Sequence, residues 1–144
     1  MRAVVTRVSK ASVAIDGVIA GEIDKGFLVL LGIKTDDTEQ DVKKLAKKIC
    51  NLRIFSDDDG KMNLDLNAVG GSILVISQFT LYADTSSRRP GFIEAARPDV
   101  AIPLYELFIQ ECKDAGFVVE TGVFGAMMDV FSINDGPVTI LLES

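Results

Sequence analysis

Residues 12–33 read SVAIDGVIAGEIDKGFLVLLGI. Two short segments, 12–15 and 18–23, flank Asp16-Gly17, and an Asp-Gly pair between apolar runs predicts a two-residue type I′ hairpin. Residues 27–33 (FLVLLGI) are apolar at odd and even positions alike, which predicts a central strand covered on both faces. Upstream, residues 2–8 alternate loosely and are rich in valine, as a strand would be.

Downstream the period changes. Residues 38–52 predict a helix, with Thr38 as N-cap and Glu39 and Asp41 in the first turn. Val42, Leu45, Ala46, Ile49 and Leu52 form its apolar stripe, opposite Lys43, Lys44, Lys47 and Lys48. Residues 52–55 predict a short strand ended by the turn DDDG at 57–60, and residues 73–82 (ILVISQFTLY) a longer strand. A polar loop, DTSSRRPGF, occupies 84–92. Residues 99–115 predict a second helix with Leu104, Phe108, Cys112 and Ala115 inward, a late start or kink at Pro103 and a stop at Gly116. Strands at 117–121, 126–133 and 138–142 close the chain, with the turn 134–137 between the last two. Hairpins and helical crossovers together predict an α+β fold. We expect mixed or antiparallel β-sheets, barrel-like or layered, with two main helices packed against them in a single domain over residues 1–144.

The 144 residues are 48% apolar and 25% charged, the balance of a globular domain able to bury its own core. No apolar run approaches the roughly 20 residues that span a bilayer. The N-terminal MRAVVTRVSK lacks the pattern of a signal peptide, so a cytoplasmic protein is expected, with no membrane partner. The net charge of −6 argues against non-specific coating of nucleic acid and leaves room for a local basic patch.

There is no histidine. Ser-His-Asp and Cys-His machinery and His-ligated metals are therefore excluded. Cys50 and Cys112 are too few and too far apart in sequence for a CxxC or Cys-rich zinc motif, and read as buried free thiols. The run DDDG lacks the glutamate a calcium loop carries at its twelfth position, where Ala68 stands. No metal and no cofactor is expected. Any chemistry must use carboxylates, hydroxyls, lysines, backbone groups or the substrate itself.

Two segments stand out. In Ser77-Gln78-Phe79-Thr80, strand alternation puts Gln78 and Thr80 on one face and Ser77 and Phe79 on the other. Spacing alone favours a strand end reaching solvent over a polar pocket. In NDGPVT (134–139), a turn with proline at a strand start competes with a rigid tip that offers backbone groups to a partner.

Taken together, SQFTLYAD (77–84), RRPGF (88–92), TGVFGAMM (121–128) and NDGPVT resemble the D-aminoacyl-tRNA deacylases, as do MRAVVTRVSKASV, NLRIF and KMN. The resemblance runs in order over essentially the whole chain. It departs at Ser86-Ser87-Arg88-Arg89, where the family often has a Lys-Gly or Gly-Asn stretch. It implies a homodimeric carboxylic ester hydrolase that cleaves D-amino acids from the 3′ end of tRNA, with glycyl-tRNA as a further substrate and L-aminoacyl groups rejected. It implies that Gly136-Pro137 is cis and reaches into the other subunit's active site as a chiral gate. Ser77, Gln78, Phe79 and Thr80 would line the catalytic pocket, with Thr80 as candidate nucleophile or the RNA 2′-hydroxyl as acting group. Phe124 and Met128 would line the adenosine pocket, and Arg7 would lie near the Gly-Pro loop. The rivals are a conventional acyl hydrolase with Thr80 as covalent nucleophile and a non-catalytic dimeric RNA-binding module. The missing histidine weighs against the first. The acidic net charge and the lack of an aromatic stacking cluster weigh against the second.

Overall fold

In the computed structural model, which describes residues 1–144, strand β1 (Arg2–Ile15) runs 14 residues without a break. The segments 2–8 and 12–15, expected as separate strands, are its two halves. The exposed Ser9 is an unpaired bulge residue between Val8, which pairs with Asn134, and Lys10, which pairs with Ile133, so the strand continues through it along β8. On one edge lie β3 (Gly26–Gly32), from Arg2 to Val8, and β2 (Val18–Ile23), from Ala11 to Ile15. On the other lies β8 (Asp129–Glu143). All three pairings are antiparallel. The turn between β1 and β2 has Asp16 at φ 50° and Gly17 at φ 78°, the type I′ hairpin that the sequence predicts.

β3 pairs in parallel with β6 (Ser72–Ser77), and β6 in parallel with β7 (Val119–Thr121). Parallel neighbours need crossovers. Helix α1 (Glu39–Cys50) and a small hairpin of β4 (Phe55–Ser56) and β5 (Met62–Leu64) make the first, and helix α2 (Pro98–Asp114) the second. The sheet order is β2-β1-β3-β6-β7, with β8 along the other edge of β1. Gly21 of β2 lies close against the Thr121 backbone of β7, so the sheet curls into a barrel-like shape.

Each helix forms for the reasons its sequence shows. The Asp41 carboxylate accepts the Thr38 N–H at 2.8 Å and its hydroxyl at 3.0 Å. The backbone hydrogen bond from Thr38 holds that carboxyl below its ordinary range. Val42, Leu45, Ala46 and Ile49 are buried and the four lysines are exposed. α2 starts one residue early because Pro98 sits at its N-terminus, where a missing N–H costs nothing. Pro103 lies inside it. Ala101, Leu104, Tyr105, Phe108 and Cys112 face inward, while Ala115, expected inward, is exposed at the C-cap.

Two cores result. Phe27, Val29, Leu31, Ile73 and Val75 face the helices, while Leu28, Leu74 and Ile76 join Val8, Val13 and Ile23 inside the curl. The FLVLLGI strand is thus covered on both faces, as its composition requires. Several boundaries differ from expectation. β4 begins only at Phe55 and β7 only at Val119, and β8 starts at Asp129 rather than at residue 126. The expected strand 73–82 stops at Ser77, and Phe79–Tyr82 form a 3₁₀ turn. The expected turn at 134–137 does not separate two strands but is an excursion within β8.

Candidate active site

Strand β6 ends where its ladder gives way to a tight turn. The Gln78 N–H makes a last bond to the Leu31 carbonyl at 2.8 Å, and the chain then tightens into the 3₁₀ turn. That turn rests on the end of β3. A Cβ at Gly32 would lie 2.9 Å from Leu81 Cβ and 3.1 Å from the Gln78 carbonyl, so the close approach depends on glycine. Gln78 Nε2 donates to Thr80 Oγ1 at 2.5 Å. The turn, not strand alternation, brings these two polar groups together. The turn's first internal bond is from Leu81 N–H to the Gln78 carbonyl, so the N–H groups of Phe79 and Thr80 precede its ladder and have no backbone partner.

A cleft of 410 Å³ opens here. Ser77, Gln78, Phe79 and Thr80 form one wall, and Phe124 to Met128 the other. No lining side chain is ionisable. Phe124 is held from behind by Tyr105, with ring centroids 5.9 Å apart. The Tyr105 hydroxyl donates to the Val75 carbonyl of β6 at 3.1 Å, and burial pushes that hydroxyl up to about 12. Phe79 meets Phe92 edge to face at 5.1 Å. This contact and the bridge between Asp84 and Gly91 tie the loop carrying Arg88 and Arg89 to the wall of the cleft.

Gly136 and Pro137 lie elsewhere in the chain. Thr6 pairs with Thr139 and Val8 with Asn134, so one residue of β1, Arg7, is spanned by the four residues Asp135 to Val138. The base of the excursion is tied by Asn134, whose Oδ1 accepts the Val138 N–H at 2.7 Å and whose Nδ2 donates to Thr139 Oγ1 at 3.0 Å. Arg7 is the one buried charged residue. Its Nε donates to the Asp135 carbonyl at 2.9 Å and its Nη1 to the Ile54 carbonyl at 2.7 Å, with Asp135 Oδ2 3.5 Å away. The Gly136-Pro137 peptide is cis, and both residues are exposed.

The candidate residues therefore fall into two groups. Ser77, Gln78, Phe79, Thr80, Phe124 and Met128 share the cleft. Arg7, Gly136 and Pro137 share the β1–β8 excursion and do not line the cleft of their own chain. The sequence profile of the D-Tyr-tRNA(Tyr) deacylase family matches residues 4–143, nearly the whole chain and all of the span that carries both groups. The chain belongs to this family. It is 58% identical to the D-aminoacyl-tRNA deacylase of Fervidobacterium nodosum, covering 100% of this chain and 97% of that protein. It is 56% identical to the D-aminoacyl-tRNA deacylase of Thermus aquaticus, covering 100% and 95%. Among solved structures it matches one described as a c-Myc DNA unwinding element binding protein, at TM-score 0.95 and 38% identity over 100% of this chain and 99% of that one. It shares its fold with a probable eukaryotic D-amino acid tRNA deacylase, at TM-score 0.84 and 16% identity over 99% and 98%.

Gly32, Tyr105 and Asn134 hold these two groups of residues in place, and sequence reasoning missed them. Tyr105 lies at helical spacing from Ala101, Phe108 and Cys112, which is a usable signal. Asn134 stands inside NDGPVT, but a long pairing on either side had to be known before its tie across the excursion had meaning. Gly136 has φ +133°, and a Cβ there would lie 2.8 Å from Arg7 Nη2 and 2.9 Å from Val138 Cγ2. Gly136→Ala must therefore displace either the loop or the guanidinium. We expect it to lower deacylase turnover by about 10²-fold or more, as misplaced positioning elements do. The far-UV spectrum should stay unchanged, because the loop is exposed. Turnover assayed on D-aminoacyl-tRNA beside circular dichroism checks this.

Proposed function

We propose that the cleft formed by Ser77, Gln78, Phe79 and Thr80 with Phe124 and Met128 receives the 3′-terminal aminoacyl-adenosine of tRNA, and that the chain hydrolyses its D-aminoacyl ester there. Deacylase activity follows from family membership over nearly the full chain. The observation that carries the assignment of roles is the chemistry of the cleft: aromatic and apolar walls, two hydroxyls, an amide, backbone N–H groups outside the hydrogen-bond ladders and no acid or base.

Such a site cannot deprotonate Thr80 for attack. An aminoacyl ester is already activated, and its own ribose carries a vicinal 2′-hydroxyl. Orientation by the walls, with the Phe79 and Thr80 N–H groups facing the developing oxyanion, lets water attack the carbonyl carbon while the 2′-hydroxyl handles the proton and the 3′-oxygen leaves. Arg88 and Arg89, on the loop tied to the cleft wall through Phe92, would meet phosphates near the 3′ end on this reading. The lysines of α1 lie on an exposed helix face whose residues do not line the cleft. The reaction belongs in the cytoplasm, where charged tRNA is used. A nucleic-acid-binding module without catalysis, the reading that the name of the c-Myc-element binding relative invites, fits poorly with a net charge of −6.

The working form is a homodimer on this reading. The outer edge of β8 is unpaired over 15 residues, and Phe131, Ile133 and Leu141 on it are exposed. A long free edge of this kind needs a cover. The chain exposes 8216 Å², against roughly 7,200 Å² for a monomer of 15.5 kDa. The excess matches the roughly 800 Å² that each partner buries in a standard interface. Covering β8 with a second copy carries Gly136-Pro137 toward the other subunit's cleft, where rigid backbone rejects an L side chain and leaves a D side chain free.

Three outcomes are expected. Glycyl-tRNA, with no side chain to clash, is hydrolysed and L-alanyl-tRNA is not. A methyl contact alone discriminates by only about 1–3 kcal/mol, so full rejection of L-alanine requires a rigid wall. Comparable rates on the two would remove the gate, and no rate on glycyl-tRNA would mean that the site binds D side chains positively. Thr80→Ala keeps substantial activity, whereas D-aminoacyl-tRNA ending in 2′-deoxyadenosine is nearly inert. An acyl group trapped on Thr80, or normal turnover of the deoxy substrate, would overturn that reading. Replacing Arg88 and Arg89 by Ala lowers the slope of log K against log salt for tRNA by about 0.7–0.9 for each phosphate they neutralise, while replacing the four α1 lysines leaves it unchanged.

A further inference from the structure

The two cysteines are buried and free, as their sequence context predicts, but the fold also brings them together. Cys50 ends α1, and Cys112 lies two turns beyond Tyr105 on α2. Where the helices pack, the two Sγ atoms are 3.8 Å apart across 62 positions of sequence. The hydrolytic site uses neither of them.

Their access is unequal. Cys112 is sealed at 0% exposure. Cys50 keeps 6% and forms part of the wall of a 370 Å³ cleft between the two helices, beside Lys43 and Lys47 of α1 and Glu111 and Asp114 of α2. A small solute entering this cleft meets one sulfur and not the other. The hydrogen bond shared by the two sulfurs holds the Cys50 thiol below its ordinary range, and that bond together with burial pushes Cys112 up. The reachable sulfur is therefore the more readily ionised of the two.

We propose that Cys50 and Cys112 are a peroxide-reactive dithiol, in which Cys50 is oxidised first and Cys112 resolves it to a reversible disulfide joining α1 to α2. The Cys50 thiolate attacks one oxygen of hydrogen peroxide, the O–O bond breaks, and Cys50 becomes a sulfenic acid while hydroxide leaves and takes up a proton as water. The Cys112 sulfur then attacks the Cys50 sulfur. The S–S bond forms, the S–O bond breaks, and the departing hydroxide leaves with the Cys112 proton as a second water. Peroxide is reduced by two electrons and the two thiols are oxidised by two. The sulfurs must approach by about 2 Å to reach bonding distance, a movement shared between two side chains and two helix ends. The product ties the helix layer together on one side of the sheet and constrains the unfolded chain over a long loop, so it acts on stability rather than on the ester.

The reduced native protein is treated with a small excess of hydrogen peroxide and followed by intact mass, dimedone labelling and thermal unfolding. We expect a loss of two hydrogens that dithiothreitol restores, and a higher unfolding midpoint for the oxidised form. Cys112→Ala should accumulate a dimedone adduct on Cys50, and Cys50→Ala none. The wild-type chain compared in buffer and in urea supplies a test that needs no variant, with disulfide forming faster in the folded state. An unchanged mass, irreversible oxygen adducts alone, faster closure in urea, or dimedone labelling of Cys112 in Cys50→Ala would each overturn the proposal.

Discussion

A single buried guanidinium fixes the geometry on which the rest of the site depends. β1 is paired on both edges, so β8 must run along it on both sides of position 7. Arg7 stands there, in phase with the buried Ala3 and Val5. A guanidinium out of water is costly unless its donors are satisfied. Here they are met by the Ile54 carbonyl on one side and by Asp135 on the other. No buried side-chain polar atom in the chain lacks a partner. To reach Arg7, the Asp135 carbonyl has to leave the ladder, and Asn134 and Thr139 close the gap it leaves. Gly136 and Pro137 form the outer end of that detour. Their position thus follows from a charge that needs partners inside a ladder that cannot break.

The cleft depends on a similar local constraint at the neighbouring strand end. Gly32 lets the chain after β6 fold back on β3, and the resulting turn places Gln78 against Thr80. Tyr105 then fixes the opposite wall through both its ring and its hydroxyl. None of these groups is ionised in use, and specificity on this plan comes from shape and backbone. That suits a substrate which brings its own hydroxyl and whose side chain varies.

What the sequence made legible divides along physical lines. Asp16-Gly17, the Thr38 cap and the apolar stripe of α1 are local signals, and each maps onto its element directly. The doubly apolar run at 27–33 announced a strand between two cores. The failures are places where tertiary contacts override a local pattern. ILVISQFTLY keeps its strand-like alternation past Ser77, but Gln78 spends its N–H on Leu31 and the chain turns. Ser9 and Lys10 look like a break, yet the ladder to β8 resumes at Lys10 opposite Ile133 and carries β1 through a one-residue bulge. NDGPVT carries every mark of a turn between strands, and only the register of β8 along β1 shows that the strand resumes on the same partner. The convergence of SQFT with Phe124 and Met128 bridges more than forty residues of chain. No spacing rule reaches that far, and the resemblance to a family supplied it.

Under the proposed function, the position of the Gly-Pro excursion ties selectivity to assembly. It lies in the middle of the strand whose outer edge is free and apolar. Interface and recognition loop are, on the proposed reading, the same piece of chain. On the proposed reading, anything that covers β8 with a second copy also delivers the loop, and anything that uncovers it withdraws the loop from the cleft it serves. A lone subunit would keep its hydroxyl, amide and aromatic walls but lose the backbone that tells D from L. Chiral discrimination then inherits the concentration dependence of assembly, and an open cleft that would cleave correct L-aminoacyl ester is not exposed without its gate wherever the dimer persists. On that reading, building the gate into the edge strand makes assembly a precondition of selectivity.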